Sequence, residues 1–192
     1  TRDYTLRGEL FYKKYDALYK TSSGFNGRDL AYNNDGFGYS KGIEFFWRDK
    51  KTIKNVDYWI SYSYLDTKRD FLNYPTEIRP SFAATHTASF VFKKFVLPWK
   101  TGFNFSYNFA TGRPFYNITY DSTISKYAIA DQGKTINYNN VSISINYLPK
   151  LGKTNPKVFT VWVLGVNNIL GQNQVYTYNY SYNGRRKEEV TP

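Results

Sequence analysis

The feature that most constrains the fold of this chain is a strict alternation of aromatic and small polar residues. From residue 103 to residue 109, every odd position holds Phe or Tyr and every even position holds Asn or Ser. Successive side chains of a β-strand point to opposite faces, so this period of two predicts a strand with one apolar and one polar face. Such a strand fits a soluble β-sandwich, whose apolar face points inward, or a membrane β-barrel, whose apolar face points to lipid.

The same alternation recurs along the chain and predicts seven antiparallel strands. Their connections are alternately long and short, and the long ones cover residues 21–35, 68–83 and 116–137. An extended stretch over residues 175–182 is interpreted as a continuation of the seventh strand. The predicted strands cover residues 4–19, 36–48, 56–67, 84–96, 101–115, 138–148 and 157–170.

Loop lengths and strand lengths favour the membrane barrel. Outer-membrane barrels have short periplasmic turns and longer extracellular loops, whereas a soluble sandwich has no reason to sort its loops in this way. A tilted membrane strand needs about 9 to 11 residues, and strands of globular proteins usually have about 5 to 6. By their parity, Arg7, Glu9 and Glu44 lie on the polar face, where a watery interior would solvate them. The sequence therefore predicts an all-β fold, an antiparallel up-and-down transmembrane β-barrel segment.

Composition agrees with a membrane barrel and excludes several other classes. Aromatic residues make up 20% of the chain, with 20 Tyr and 15 Phe, and amphipathic rings suit the girdles at the two membrane surfaces. No run approaches the about 18 apolar residues that a transmembrane helix needs, which excludes a helical membrane protein. The chain has no Cys, so no disulfide, zinc–thiolate site or thiol nucleophile is available.

The net charge of +11 raises the question of a nucleic-acid partner. The lysines, however, fall mostly at the predicted short turns, around residues 50–54, 93–94 and 150–157, and they do not form one stripe. Turn lysines are typical of a solvated rim, and at a membrane surface they can also face anionic head groups. We therefore expect no nucleic acid among the partners.

Five segments resemble motifs of one protein family and follow the order of that family. The stretch NNDGFGYSKGIEFFWRDK, residues 33–50, resembles a barrel strand of TonB-dependent outer-membrane receptors, and residues 58–71 resemble the strand that follows it. Three further motifs of the family are similar to residues 79–92, 110–117 and 165–176. The match spans nearly the whole chain and has the character of receptors from Bacteroidetes-type bacteria.

The resemblance implies a barrel of about 22 strands around an N-terminal plug. Such a receptor imports a scarce nutrient, for example a siderophore, a glycan or a peptide, with energy passed on through TonB. Residues 1–192 are then expected to form about seven strands of the barrel, without the plug domain and the last strand. The implied partners are outer-membrane lipid, the rest of the same barrel and its plug, TonB through the plug region, and a surface lipoprotein.

The implied location of the chain is the outer membrane of the cell. Two alternatives stay open beside a TonB-dependent transporter. The first is a passive porin or a secretion barrel. The second, from another class, is a soluble, Tyr-rich β-sandwich that binds carbohydrate.

Aromatic and basic residues of the long loops are the candidate ligand-binding residues. Flat amphipathic rings suit sugars or aromatic chelates, and guanidinium groups can bind anions. Arg28 is a further cation of this kind. For the tyrosines from 176 to 182 we favour the alternative that they belong to the outer aromatic belt. The proposed ligand-binding residues are Tyr32, Arg79, Arg113, Tyr116 and Tyr120.

The single histidine, His86, offers no catalytic site. Thr85 and Thr87 would point to the opposite face of the strand, and no nucleophile elbow or oxyanion loop accompanies them. We interpret His86 as a structural residue at the junction of a loop and a strand. Acidic residues such as Asp66 and Asp70 are ordinary loop acids and not a metal-ligand cluster. The sequence therefore predicts no enzyme activity, no metal and no cofactor.

Overall fold

The computed structural model describes residues 3–23, 29–121, 123, 126–154, 157–181 and 186–191. Within these ranges the chain forms β-strands, and it contains no helix that would be long and apolar enough to cross a membrane. The strands are β1 (Tyr4–Ser23), β2 (Asp29–Asp49), β3 (Val56–Asp70), β4 (His86–Val96), β5 (Thr101–Ala110), β6 (Pro114–Asp121), β7 (Lys126–Lys134), β8 (Tyr138–Tyr147), β9 (Trp162–Val166), β10 (Thr177–Tyr180) and β11 (Lys187–Val190).

Seven of these strands form one antiparallel sheet. Their order in the sheet is β1-β2-β3-β4-β5-β8-β9, which is also their order along the chain. This is an up-and-down arrangement. The remaining strands form two separate hairpins, β6 with β7 and β10 with β11. The predicted all-β, antiparallel, up-and-down fold with seven main strands is confirmed.

The register of the sheet joins the apolar positions of neighbouring strands into continuous rows. Residues paired directly across two strands project from the same face, so each row lies on one face of the sheet. This face is called the apolar face below. One row contains Leu6, Trp47, Ile60, Phe90, Tyr107 and Val141, and the next contains Tyr58, Phe92, Phe105, Ile143 and Val166.

The apolar face has no second layer over it in the described part of the chain. Leu10 is 78% exposed, Leu164 is 73% exposed, and Ile143, near the middle of its strand, is 46% exposed. A soluble sandwich would bury these side chains against a second sheet, because exposed apolar area on this scale is unfavourable in water. The structure therefore contradicts the sandwich and agrees with strands whose apolar face is turned to lipid.

The opposite face, called the polar face, carries mostly short polar side chains. Two rows on this face are rich in Ser, Asn and Gly, and larger or charged residues such as Phe46, Trp59 and Lys93 also lie on it. A concavity of about 570 Å³ lies on this face. One row contains Ser61, Ser89, Asn108 and Asn140, and another contains Asn104, Ser144 and Gly165.

The first predicted long loop is wrong in its extent. Residues 21–35 were expected to be irregular, but β1 continues to Ser23 and β2 begins at Asp29. Thr21 pairs with Tyr32 within this extension, and the Tyr32 ring stacks on that of Tyr19 with centroids 5.6 Å apart. Backbone hydrogen bonds and ring stacking stabilise the strands here. Because neither requires alternating apolar residues, the sequence pattern does not show this extension.

The third predicted long loop contains a hairpin. Residues 116–137 were expected to be irregular, yet β6 and β7 pair from Pro114 with Lys134 to Asp121 with Lys126. The predicted fifth strand ends at Ala110 instead of residue 115, because residues 114 and 115 belong to the hairpin. Connections of residues 50–55 and 97–100 are short turns, as predicted.

The seventh predicted strand is shorter than expected. Of residues 157–170 only Trp162–Val166 form a strand on β8, and the Ile169 N–H adds one hydrogen bond to the Val141 carbonyl oxygen. The connection from β8 to β9 covers residues 148–161 and is longer than the short turn that the sequence predicts at residues 149–156. The stretch after residue 175 does not continue this strand. Its β10 pairs with β11 in a sheet of its own. Tyr182 and Arg28, two residues considered from the sequence, lie outside the described residues.

Candidate functional site

The two ends of the sheet differ in their connections. The end that carries residues 71–85 and 111–137, with the two hairpins, is called the loop end. The end that carries residues 50–55, 97–100 and 148–161 is called the turn end. The candidate ligand-binding residues lie at the loop end, where the structure gives each of them a distinct environment.

Arg79 is held by the chain itself. Its guanidinium donates to the Leu65 carbonyl oxygen at 3.1 Å and to the Thr85 hydroxyl at 2.8 Å. A second nitrogen lies 3.1 Å from the Asp66 carboxylate. The side chain is 21% exposed, so its charge is compensated and its geometry fixed. This arrangement stabilises the loop of residues 71–85 and leaves Arg79 little capacity for an external anion.

Tyr116 lies beside this loop. Its ring meets the edge of the Tyr74 ring, with centroids 5.8 Å apart and planes at 74°. Burial raises the pKa of the Tyr116 phenol, and a backbone hydrogen bond from Arg79 opposes the shift. Burial likewise raises the pKa of Tyr74. The structure thus brings two of the predicted residues, Arg79 and Tyr116, into one cluster that joins β6 to the loop.

Arg113 lines the concavity on the polar face. Its backbone is anchored, because the Arg113 N–H donates to the Thr135 hydroxyl at 2.9 Å and its carbonyl accepts from the Thr135 N–H at 2.8 Å. The guanidinium lies over the Tyr176 ring, 5.6 Å from its centroid. Of the five predicted residues, Arg113 is the one that borders this concavity.

The concavity presents hydrogen-bonding groups of every kind. Hydroxyls and amides of the central strands lie beside the carboxylates of Glu9 and Glu44 and the guanidinium groups of Arg7 and Arg113. Such a surface can hold a polar solute by hydrogen bonds. Its polar lining includes Arg7, Glu9, Glu44, Ser61, Ser63, Thr87, Ser89, Asn108, Arg113, Tyr138 and Gln174.

Tyr32 and Tyr120 lie apart from the concavity. Tyr32 is 62% exposed on the extension of β2. Tyr120 pairs with Tyr127 across the β6–β7 hairpin, and their rings meet edge to face with centroids 5.7 Å apart. The structure therefore does not assemble the five predicted residues into a single site.

A cluster that the sequence did not reveal joins the two hairpins. The Lys187 ammonium lies 4.0 Å from the Phe115 ring centroid and 4.1 Å from that of Tyr178. The same ammonium is 3.8 Å from the Asp131 carboxylate, which also accepts a hydrogen bond from the Tyr180 hydroxyl. Phe115 is only 5% exposed. We call these five residues the hairpin latch.

The latch also shifts the protonation of two of its members. Desolvation, together with the hydrogen bond to Asp131, raises the pKa of Tyr180 to about 12. The hydrogen bond from Tyr180 and the charge of Lys187 lower the pKa of Asp131. Tyr178 and Tyr180 therefore pack on the other hairpin, and the structure contradicts their assignment to a lipid-facing belt.

Arg69 forms a second feature that sequence reasoning missed. Its guanidinium lies between the rings of Tyr15 and Phe82, at 4.4 Å and 5.4 Å from their centroids. Arg69 pairs with Gly38 and Tyr15 with the same glycine, so all three share the polar face. Nothing in the local sequence predicts this cluster, because Tyr15 lies in β1, Arg69 in β3 and Phe82 in a loop.

His86 occupies a structural position on the apolar face. Its Nδ1 is 2.8 Å from the Tyr62 hydroxyl, and its ring packs against the rings of Tyr62 and Tyr64. Its backbone N–H donates to the Thr111 hydroxyl at 3.1 Å. These contacts link the start of β4 to β3 and to the end of β5.

The seven-stranded sheet, with its uncovered apolar face and its polar concave face, defines the chain as a segment of an up-and-down transmembrane β-barrel. Comparison of the sequence with family models and with curated proteins gives no match. Comparison with solved structures does give matches.

The chain is similar to the outer membrane transporter YddB from Escherichia coli. The TM-score is 0.67 at 14% sequence identity, and the likeness covers 100% of this chain and 29% of that chain. The chain thus spans less than a third of the length of this solved transporter. At such an identity the two proteins share the fold.

Proposed function

We propose that this chain is part of the outer-membrane barrel of a TonB-dependent transporter that imports a scarce nutrient. The observation that carries the proposal is the seven-stranded sheet, which has one apolar and one polar face. The whole of this chain matches part of an outer membrane transporter. Because that match covers 29% of the transporter, the remaining strands and the plug belong to the proposal as well.

Sequence motifs support the finer assignment. The segments at residues 33–50 and 79–92 resemble TonB-dependent receptors and fall on β2 and on the loop that leads into β4. Their Bacteroidetes-type character stays a prediction. TonB and a surface lipoprotein are the partners that this function implies, and the outer membrane is the location.

The polar face supports a role in handling a polar ligand. Its concavity opens beside the loop end, and Arg113 is the cation that we propose as a ligand contact there. Tyr32 and Tyr120 stay proposed contacts at the rim, since Tyr32 is exposed. Arg79 and Tyr116 are better placed to hold the loops in position, because their polar groups already have partners.

Conductance of the complete protein in a planar lipid bilayer separates this proposal from a passive porin. A barrel occupied by a plug gives no steady ion current, whereas an open porin conducts continuously. We expect no steady current from the purified protein. A stable, ohmic current would contradict the proposal and favour a porin.

Uptake in cells tests the energy source. Cells that express the complete gene are compared with cells that also lack TonB, during growth on one limiting nutrient at a time. We expect growth on at least one nutrient that requires both the gene and TonB. Arg113→Gln should reduce this growth, and Lys14→Gln, at an exposed position away from the concavity, should not. Growth that is independent of TonB would overturn the assignment.

A further inference from the structure

Amphipathic aromatic residues are concentrated on the half of the apolar face that lies towards the turn end. Trp99 and Trp162 are 66% and 67% exposed. Tyr and Trp concentrate where membrane hydrocarbon meets the head groups, so these rings indicate the depth of that boundary. The aromatic residues of this half are Tyr4, Trp47, Tyr58, Trp99, Tyr147 and Trp162.

Lys94 lies on the apolar face in the same half of the sheet. It pairs directly with Val56 on one side and with Phe103 on the other, and it is exposed. Trp99 packs edge-on against Phe103, with ring centroids 6.2 Å apart. A lysine on the lipid-facing side can extend its ammonium to the head groups while its stem stays on apolar surface.

The carboxylates of the turn end are already engaged. Asp49 accepts hydrogen bonds from the backbone N–H groups of Lys51 and Thr52 and from the Tyr58 hydroxyl, at 2.8 to 3.0 Å. Asp57 lies 2.5 Å from Arg48. Among the described residues, no ion pair compensates a group of lysines that we call the turn-end lysines. They are Lys50, Lys54, Lys94, Lys150, Lys153 and Lys157.

In the described part of the chain, ion pairs are more frequent at the loop end than at the turn end. At the loop end, Lys20 pairs with Asp70 at 2.7 Å, Lys14 with Asp16 at 2.9 Å, and Arg79 with Asp66. Free positive charge is therefore concentrated at the turn end. Since both ends face aqueous boundaries of the same membrane, this difference points to an anion that is present at one boundary.

We infer that the turn-end surface binds anionic phospholipid head groups, with Lys94 at its centre and the turn-end lysines around it. A lipid fits better than an acidic protein, because Lys94 and its neighbour Trp99 lie on the side that faces the bilayer. Juxtamembrane lysines attract anionic lipids by charge. If the chain lies in the outer membrane, as proposed above, the two short turns of residues 50–55 and 97–100 place this surface in the periplasmic leaflet.

Native mass spectrometry of the complete protein in detergent tests the inference. The protein is titrated with phosphatidylglycerol and, separately, with phosphatidylcholine, and the ratio of bound lipid is measured. We expect the wild type to prefer phosphatidylglycerol. The triple variant Lys94→Gln, Lys150→Gln, Lys153→Gln should lose about fivefold of this preference for each lysine removed. High salt should weaken the preference as well.

A charge-matched control separates a local site from general attraction. Lys14→Gln, Lys68→Gln and Lys126→Gln remove the same charge from exposed positions at the loop end, and this variant should keep the wild-type preference. Equal binding of both lipids by the wild type, or an equal loss in the control, would overturn the inference. Neither result would change the conductance and uptake experiments, which do not depend on these lysines.

Discussion

The seven-stranded sheet and the two hairpins are built from similar residues but are stabilised by different surroundings. In the sheet, the apolar side chains have no protein layer over them, and Leu164 is 73% exposed. In the hairpins, Phe115 is 5% exposed beneath Tyr178 and Lys187. The apolar face of the sheet therefore requires lipid to cover it, whereas the apolar side chains of the hairpins are covered by other residues of the hairpins.

The polar interactions follow the same division. On the apolar face, the row of residues that runs across the central strands contains no charged residue. Backbone hydrogen bonds and lipid contact therefore stabilise this region. The row consists of Ile60, Phe90, Tyr107 and Val141. In the latch, one ammonium contacts two rings and a carboxylate. A single chain thus combines a region that belongs in a bilayer with one that belongs in water.

A charge placed on the apolar face should have the largest effect. Phe105→Lys puts an ammonium near the middle of the lipid-facing surface and should destabilise the folded barrel by about 2 to 4 kcal/mol. Ser106→Lys, one residue away on the polar face, should have a much smaller effect. Denaturant titration of the complete protein in lipid vesicles measures both. Equal destabilisation by the two variants would contradict the assignment of the faces.

Crowding at Gly112 should affect the hairpins and spare the sheet. A Cβ at this position would lie 1.8 Å from the Thr135 backbone oxygen, whereas a Cβ at Gly8 would meet nothing within 4 Å. Gly112→Ala should therefore cost about 1 to 3 kcal/mol, as overpacking does, and Gly8→Ala should cost little. Hydrogen exchange of the Thr135 N–H should accelerate in the first variant alone. If the Thr135 N–H of the Gly112→Ala variant stayed as protected as in the wild type, the predicted clash with Thr135 would be refuted.

Removal of the latch cation should loosen the hairpins more mildly. Lys187→Gln loses the contacts to Phe115 and Tyr178, each worth about 0.5 to 1 kcal/mol at an exposed site. Lys187→Arg keeps a cation over the rings and should retain most of the stability. The readout is hydrogen exchange of the Tyr176 N–H, which donates to the Val190 carbonyl. If the arginine variant exchanged as fast as the glutamine variant, the cation would not be the cause.

The pH dependence of the latch should be the smallest effect. The pKa of Asp131 is lowered, so its contribution is present above the ordinary carboxyl range and is lost as pH falls through the lowered value. The pKa of Tyr180 is raised to about 12, so its contribution is complete below the ordinary phenol value and is lost as pH rises through about 12. NMR of labelled tyrosines, with Tyr180→Phe for assignment, should show the Tyr180 ring titrating near pH 12. Titration of Tyr180 at the ordinary phenol pKa would contradict its hydrogen bond to Asp131.

Strands that separate lipid from water could be predicted from the sequence. In β5 and β8 the two faces have different solvents, so Phe105 and Ile143 alternate with Ser106 and Ser144, and the pattern is visible without coordinates. Where β1 extends beyond the membrane, water lies on both sides and the alternation disappears. The first loop was therefore predicted too long.

The hairpins and the site could be predicted less well, because distant residues determine them. The latch joins Phe115 of β6 to Lys187 of β11, and no local pattern connects the two. Arg79 and Arg113 both looked like free cations in the sequence. The structure gives Arg79 a carboxylate and a carbonyl partner and leaves Arg113 at the concavity.

The central claim is that the odd-numbered residues of β5 face lipid and the even-numbered ones face water. This chain has no native Cys. In the complete protein, with any Cys outside this chain replaced, single cysteines are introduced at Asn104, Phe105, Ser106, Tyr107 and Asn108 and spin-labelled in lipid vesicles. Collision rates with oxygen should peak at positions 105 and 107, and those with a water-soluble nickel complex at 104, 106 and 108. A flat profile, or oxygen maxima at the even positions, would contradict the account.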